Sequence, residues 1–178
     1  MSDFELLLIR HGVAEEWAPG GDSERSLTED GTLQIEASSV GLLSLGLHID
    51  VAMCSPFVRA RQTAEVHCAR LGGTLDSWAG LTPSSPASAT RDEILQRGRS
   101  LAPDRRMAVF GHNPNITSVL SLLVAGHGAA MFNVRPGDVA HLLIPSSMPF
   151  VRGENPPRAI VLGFYPCTTL ERLGASLN

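Results

Sequence analysis

The sequence contains no lysine, and all 14 of its basic residues are arginines. P-loop nucleotide-binding proteins need a lysine on the phosphates, and Schiff-base enzymes, including those that use pyridoxal phosphate, need one as nucleophile. The absence of lysine excludes both classes. Any anion site in this chain must therefore be built from arginine, histidine, backbone N–H groups and helix ends.

Cysteine, positive charge and long apolar runs are also scarce. The three cysteines have no paired spacing, which argues against a disulfide framework or a zinc site. The net charge of −4 argues against nucleic-acid binding. No apolar run approaches the length of a membrane span, and the first residues lack the basic region of a secretion signal. We therefore expect a cytoplasmic protein without nucleic-acid or membrane partners.

Four histidines are not expected to form a metal site, because their spacing is not that of metal ligands. We interpret His48, His67, His127 and His141 as structural or exposed. The sequence accordingly predicts no metal and no cofactor.

With 178 residues, 43% of them hydrophobic, the chain is predicted to form a single domain over residues 1–178. Short apolar runs predict strands at 4–9, 51–54, 107–110, 139–144 and 159–164. Helices are expected between them, so the fold class is a three-layer α/β/α sandwich with a mostly parallel sheet. The last two strands have no helix between them, only a proline-rich loop at 145–157, which predicts an antiparallel edge strand.

Helix starts are marked by capping residues. Thr28 is a good N-cap before two acidic residues, and Ser55-Pro56 and Asn113-Pro114 are expected to open two further helices. The first helix is predicted to bury the face formed by Leu33, Ala37, Val40 and Leu47. The last of the three is predicted to bury Ile116, Val119, Leu120 and Leu123. Residues 78–90 are predicted to be a loop, with a weaker helix at 91–101.

Unusual polar residues follow three of the predicted strands. The three segments are Arg10-His11-Gly12, Ser55-Pro56-Phe57-Val58-Arg59 and Gly111-His112-Asn113-Pro114. Because the carboxyl ends of parallel strands meet at one edge of a sheet, two imidazoles and two guanidiniums are expected to share one cleft. Such a cluster favours a dianionic phosphate, which arginine forks bind through paired oxygens. The guanidiniums should keep one imidazole neutral, and a neutral histidine can attack phosphorus.

These three segments, in this order and each after a strand, resemble the histidine phosphatase superfamily, which also includes phosphoglycerate mutases. The stretch from Glu24 to Gly31 is similar to another family motif, and the resemblance extends from Leu6 to about Phe164. The short length is most similar to phosphohistidine phosphatases of the SixA type.

The resemblance implies that His11 is the nucleophile, with the carbonyl group of Gly12 holding the far N–H of its ring. It also implies that the transferred phosphoryl group is bound by Arg10, Arg59 and His112, with a contribution from Arg25. For Arg25, an ordinary salt bridge to a neighbouring acidic residue is the alternative interpretation.

One position departs from the family pattern. SixA-type proteins often carry a glutamate before Leu-Thr-Pro, which protonates the leaving group, but here Gly80 stands before Leu81-Thr82-Pro83. The sequence does not choose among the other acidic candidates, which are Glu15, Glu16, Asp22 and Asp76.

The resemblance implies a metal-independent phosphatase that acts through a phosphohistidine intermediate on a phosphorylated protein or a small phosphorylated metabolite. Two alternatives stay open, a phosphoglycerate mutase-like phosphotransferase and a non-catalytic phosphate-binding module. The oligomeric state is also open, with a monomer favoured.

Overall fold

The computed structural model describes residues 3–103, 105–146 and 159–176. The strands in this part of the chain are β1 (Phe4–Arg10), β2 (Val51–Cys54), β3 (Thr74–Ser77), β4 (Arg106–Gly111), β5 (Val139–Ile144) and β6 (Ile160–Tyr165). The α-helices are α1 (Glu29–Ser44), α2 (Val58–Leu71), α3 (Ala87–Arg99), α4 (Asn115–Ala125) and α5 (Cys167–Ala175). None of the helices in the described residues is long and apolar enough to cross a membrane.

The strands form one sheet in the order β3-β2-β4-β1-β5-β6. The four strands from β3 to β1 pair in parallel, whereas β5 is antiparallel to β1 and β6 is antiparallel to β5. The predicted mixed sheet with an antiparallel pair at its edge is therefore confirmed. The strand that reverses direction is β5, one position in from the edge, so β6 again runs in the direction of the parallel strands.

Helices cover both faces of the sheet because successive side chains of a strand point to opposite sides. Leu6 and Leu8 of β1 belong to the core beneath α3 and α4, whereas Leu7 and Ile9 belong to the core beneath α1, α2 and α5. All four leucine and isoleucine side chains are fully buried. This confirms the three-layer α/β/α fold.

The predicted buried face of α1 is wrong at three of its four positions, and only Leu47, which lies beyond the end of the helix, is buried. Leu33 is 57% exposed, and Ala37 and Val40 are only half-buried. The buried positions are instead largely small, namely Gly31, Ile35, Ser38, Ser39, Gly41 and Leu42. The physical reason is close packing of α1 on α5, where a Cβ atom on Gly41 would clash with the backbone of Leu170. Small residues let two helix backbones approach closely. The apolar periodicity therefore predicted a face of α1 other than the one that is buried.

The start of α1 was predicted correctly. The side chain of Thr28 accepts a hydrogen bond from the backbone N–H of Gly31, as expected of an N-cap. The helix expected to open at Ser55-Pro56 begins slightly later, at Val58, because Phe57 is the extended capping residue.

The predicted loop at 78–90 is wrong in part, since α3 begins at Ala87 and runs to Arg99. Strand β3 was not predicted, because its four residues are mostly exposed and carry no apolar run. The predicted face of α4 is confirmed, and Gly126 ends that helix with a positive φ of 77°. Most of the proline-rich segment predicted at 145–157 lies outside the described residues.

Candidate active site

The three predicted segments meet at one edge of the sheet. Strands β2, β4 and β1 are neighbours, and the backbone N–H of His11 donates to the carbonyl of Gly111 at 3.0 Å. The ring centroids of His11 and His112 are 4.9 Å apart. Parallel pairing thus brings together residues that are about a hundred positions apart in the chain.

The orientation of His11 is set by its own backbone. Nδ1 lies 2.7 Å from the carbonyl oxygen of Gly12, and because a carbonyl can only accept, Nδ1 carries the proton. Nε2 is then left with a free lone pair. A Cβ atom on Gly12 would lie 2.7 Å from the side chain of Ile35, so the turn has room only for glycine. The expected contact between Gly12 and the far N–H of His11 is present.

Arg59, in the first turn of α2, faces that lone pair. Its Nε donates to Nε2 of His11 at 3.1 Å, and its side chain is only 4% exposed. The ring of Phe57 lies 5.2 Å from the Arg59 guanidinium carbon and 5.1 Å from the His112 ring centroid. Phe57 therefore packs against two of the predicted phosphoryl-binding residues.

Both site histidines are held neutral. Burial lowers the pKa of His11 to about 4, with Arg59, Arg10 and Arg25 lowering it further and the Gly12 hydrogen bond opposing them. Burial also lowers the pKa of His112 to about 3, assisted by His11 and Arg59. We predicted that guanidiniums would keep one imidazole neutral. Two imidazoles are neutral, and the main cause is loss of water rather than the arginines.

Buried nitrogens of two side chains at the site have no hydrogen-bond partner in the part of the chain that the structure describes. His112 is 1% exposed, and neither ring nitrogen has a hydrogen-bond partner among the described residues. Arg10 donates from Nη1 to the carbonyl of Val134 at 2.9 Å, but its buried Nε is also unpaired. Burial lowers the pKa of Arg10, while Asp138 opposes this shift. Unpaired buried donors are costly, and a bound oxyanion would satisfy them.

Arg25 lies at the margin of the site and makes the salt bridge that was its alternative interpretation. Its Nη1 is 2.7 Å from Oδ1 of Asp22. The other carboxylate oxygen of Asp22 is 3.0 Å from Nη2 of Arg59, so one carboxylate bridges the two arginines. Asp22 belongs to a single 3₁₀ turn, Asp22–Glu24, in the loop before α1.

Asp22 is the acidic candidate that the structure brings into contact with the site. Glu15 and Glu16 are exposed, and Asp76 is 70% exposed and 3.6 Å from Arg97. Burial alone would raise the pKa of Asp22, but hydrogen bonds from Arg25 and Arg59 outweigh it and lower the pKa. Its carboxylate is therefore ionised in this arrangement and holds no proton to donate at neutral pH.

The position where relatives often carry a glutamate is filled by an aromatic ring. A Cβ atom on Gly80 would clash with the indole of Trp78. That indole packs against the core beneath α3 and α4 and lies 5.7 Å from the guanidinium carbon of Arg97. Any side chain at position 80 would have to displace Trp78, which gives the departure from the family pattern a physical basis.

Sequence reasoning gave no role to Thr63, which lies four residues after the end of the second segment. Its hydroxyl accepts from the N–H of Gly12 at 3.1 Å and donates to the carbonyl of Arg59 at 2.7 Å. Thr63 thereby joins the turn after β1 to the first turns of α2. Its spacing of four residues from Arg59 was the available signal, because such residues share one helix face.

The other histidines do not join the site. His67 is fully buried and its Nδ1 bonds the Thr63 carbonyl at 3.0 Å, while Nε2 of His141 bonds Glu5 at 2.7 Å. Within residues 3–103, 105–146 and 159–176, no group of three or more histidine, cysteine or carboxylate side chains could hold a metal ion.

A sequence model described as histidine phosphatase superfamily (branch 1) matches residues 6–83, which include His11 and Arg59. The chain belongs to the histidine phosphatase superfamily. An uncharacterised protein from Picosynechococcus is 31% identical over 140 residues, which cover 78% of this chain and 84% of that protein.

Solved structures show the same histidine phosphatase fold. The protein histidine phosphatase SixA complexed with tungstate matches with a TM-score of 0.73 and 23% identity, over 93% of this chain and 99% of that one. Phosphoserine phosphatase from Entamoeba histolytica, complexed with phosphoserine, matches with a TM-score of 0.68 and 14% identity, over 94% and 99%. The first of these is a SixA protein, as the short length of the chain led us to expect.

Proposed function

We propose that this histidine phosphatase superfamily member is a phosphatase in which His11 attacks phosphorus, and that a phosphohistidine side chain of a protein is its preferred substrate. The observation that carries the proposal is the orientation of the His11 ring. Its Nδ1 proton is held by Gly12 and its Nε2 lone pair faces Arg59, with His112 beside it. A small phosphate monoester is the alternative substrate.

The reaction proceeds by two displacements at phosphorus. Nε2 of His11 forms a bond to phosphorus while the bond to the leaving group breaks, and the leaving group takes its proton from solvent. Water then attacks the phosphohistidine, the N–P bond breaks and inorganic phosphate is released. Gly12 holds the Nδ1 proton throughout, which keeps Nε2 the reacting atom.

Arginine and histidine stabilise the transferred group in this scheme. Arg59 supplies N–H donors from a buried position and Arg10 from a half-buried one, where charge interactions are stronger than in water. An unpaired nitrogen of His112 supplies a further contact. Arginine also provides the positive charge that a metal ion provides in other phosphatases, so activity is proposed to need no metal.

Replacing His11 by alanine tests the proposal. We expect turnover of nitrophenyl phosphate to fall by several orders of magnitude, roughly 10³-fold or more, because the nucleophile is removed. The melting temperature should change little. His127→Ala is the matched control, since His127 is an exposed histidine in the turn after α4.

Near-normal turnover by a folded His11→Ala protein would contradict the mechanism. Binding of inorganic phosphate without turnover by the wild-type chain would favour the non-catalytic binding module. Transfer of phosphate between positions of phosphoglycerate, rather than to water, would favour the mutase.

A further inference from the structure

Each of the three guanidinium nitrogens of Arg59 donates a hydrogen bond in the arrangement that the structure shows. Its Nε donates to the lone pair of His11 at 3.1 Å, its Nη2 to the carboxylate of Asp22 at 3.0 Å, and its Nη1 to the Asp22 backbone carbonyl at 2.5 Å. A phosphoryl group that binds Arg59 at the place of Asp22 needs the N–H groups of Nη1 and Nη2 that Asp22 now occupies. The nucleophilic lone pair is also occupied, so attack on phosphorus requires the guanidinium of Arg59 to shift.

Asp22 resembles a bound oxyanion in its contacts. One carboxylate oxygen is 2.7 Å from Arg25 and the other is 3.0 Å from Arg59, so each oxygen takes one arginine. Two oxygens of a phosphoryl group can make the same two contacts. A carboxylate and a phosphate dianion cannot both stay there, because like charges at this distance repel each other.

In the ion pair between Asp22 and Arg59, Asp22 is the residue whose side chain can move into solvent. Its side chain is 55% exposed, whereas that of Arg59 is 4% exposed. It sits in a short 3₁₀ turn that follows Gly21, whose φ is +90°. Water can therefore solvate the displaced carboxylate, and an ion pair with one exposed partner is cheap to break.

We propose that Asp22 is an internal anion that holds Arg59 in the resting site, and that substrate phosphate enters by displacing it. This rests on the proposed function, because it takes a phosphoryl group as the ligand of Arg59. Asp22 is then a positioning residue that acts through Arg59. Its return to Arg59 assists release of the phosphate product.

The test compares three variants with the wild-type chain, using inorganic phosphate as the probe and isothermal titration calorimetry as the measurement. Asp22→Asn removes the competing charge, so phosphate should bind at least about threefold more tightly. Asp22→Glu keeps the charge and should restore a Kd close to wild type. Glu24→Gln makes the same charge change in the same turn and should stay within about twofold of wild type.

Kinetics with nitrophenyl phosphate provide a second readout. Loss of the competing anion should lower KM, and tighter product binding should lower kcat wherever release limits turnover. A residue that only supported the loop would raise KM and lower the melting temperature when it is replaced.

Three results would overturn the proposal. The first is a phosphate Kd in Asp22→Asn that equals or exceeds those of the wild type and Glu24→Gln. The second is a loss of kcat by Asp22→Asn on glycerol phosphate but not on nitrophenyl phosphate, which would make Asp22 a general acid. The third is failure of both the wild type and Asp22→Asn to bind phosphate, whereas absence of nitrophenyl phosphate turnover by the wild type would instead refute the proposed function.

Discussion

At the scale of single residues, the chemistry of this chain depends on keeping imidazole neutral next to arginine. His11 and His112 lie at the ends of buried strands, where water cannot stabilise an imidazolium ion. Positive neighbours add to that effect, and so His11 keeps an unprotonated Nε2 without a dedicated base. The absence of lysine fits this design, because planar guanidinium groups bind oxyanions through two N–H groups at once.

Titration of the site histidines provides a test at this scale. A free imidazole titrates near 6.5, whereas burial lowers the pKa of His11 to about 4 and that of His112 to about 3. Since a histidine is protonated only below its pKa, both rings should stay neutral from pH 8 down to about pH 5. The measurement is the pH dependence of the ring carbon-bound proton signals by NMR, with His11→Ala assigning one of them. A midpoint above about 6 for His11 would contradict the burial argument.

At the scale of elements, the site depends on how helices approach the turn after β1. Ile35 of α1 contacts the position of Gly12 so closely that no Cβ fits there, and Thr63 of α2 binds the Gly12 N–H. The position of α1 over the sheet depends in turn on its close contact with α5 at Gly41. Helix packing far from Arg59 therefore determines the room around His11.

Replacing Gly41 by alanine tests this packing. The added Cβ would clash with the backbone of Leu170, so we expect the free energy of unfolding to fall by about 1–3 kcal/mol. Gly128→Ala is the control, because a Cβ at Gly128 meets open space, and its effect should stay within about 0.5 kcal/mol. Urea denaturation measures both. Equal stability of the two variants would show that α1 and α5 can separate without cost.

At the scale of the whole molecule, contacts between distant parts of the chain decide what the site lacks. Trp78, after β3, occupies the space above Gly80, and Arg97 of α3 lies against the indole. Asp22 is ionised between Arg25 and Arg59. Neither position 80 nor the ionised Asp22 therefore offers a proton to the leaving group. The domain boundaries, the cytoplasmic location and the favoured monomer stay predictions.

Substrate preference should consequently follow the leaving group. A positioned general acid is worth roughly 10²–10⁴ in rate for a poor leaving group, and an alkoxide is a poor one. Imidazole and nitrophenolate leave without such help. We expect kcat/KM for phosphohistidine and nitrophenyl phosphate to exceed that for glycerol phosphate by at least about 10². Equal values for the three substrates at one pH would mean that an acid does operate.

The sequence by itself determined the parallel core strands, the three segments that follow them and the residues that meet in the site. These features depend on local patterns, an apolar run followed by a polar turn, and on the rule that parallel strands end at one edge. Histidine and arginine in those turns were enough to predict phosphate chemistry, whereas His11 as the nucleophile was implied by the family resemblance and stays a prediction.

Only the tertiary structure decided the face that α1 buries, the ring that fills the position above Gly80 and the bridge from Asp22 to Arg59. Each of these is a contact between elements that lie apart in the chain. Such contacts depend on side-chain volume and on how closely two backbones approach. Hydrophobic periodicity predicts neither of these quantities. The sequence shows which residue types are present, but it does not show which of them are in contact.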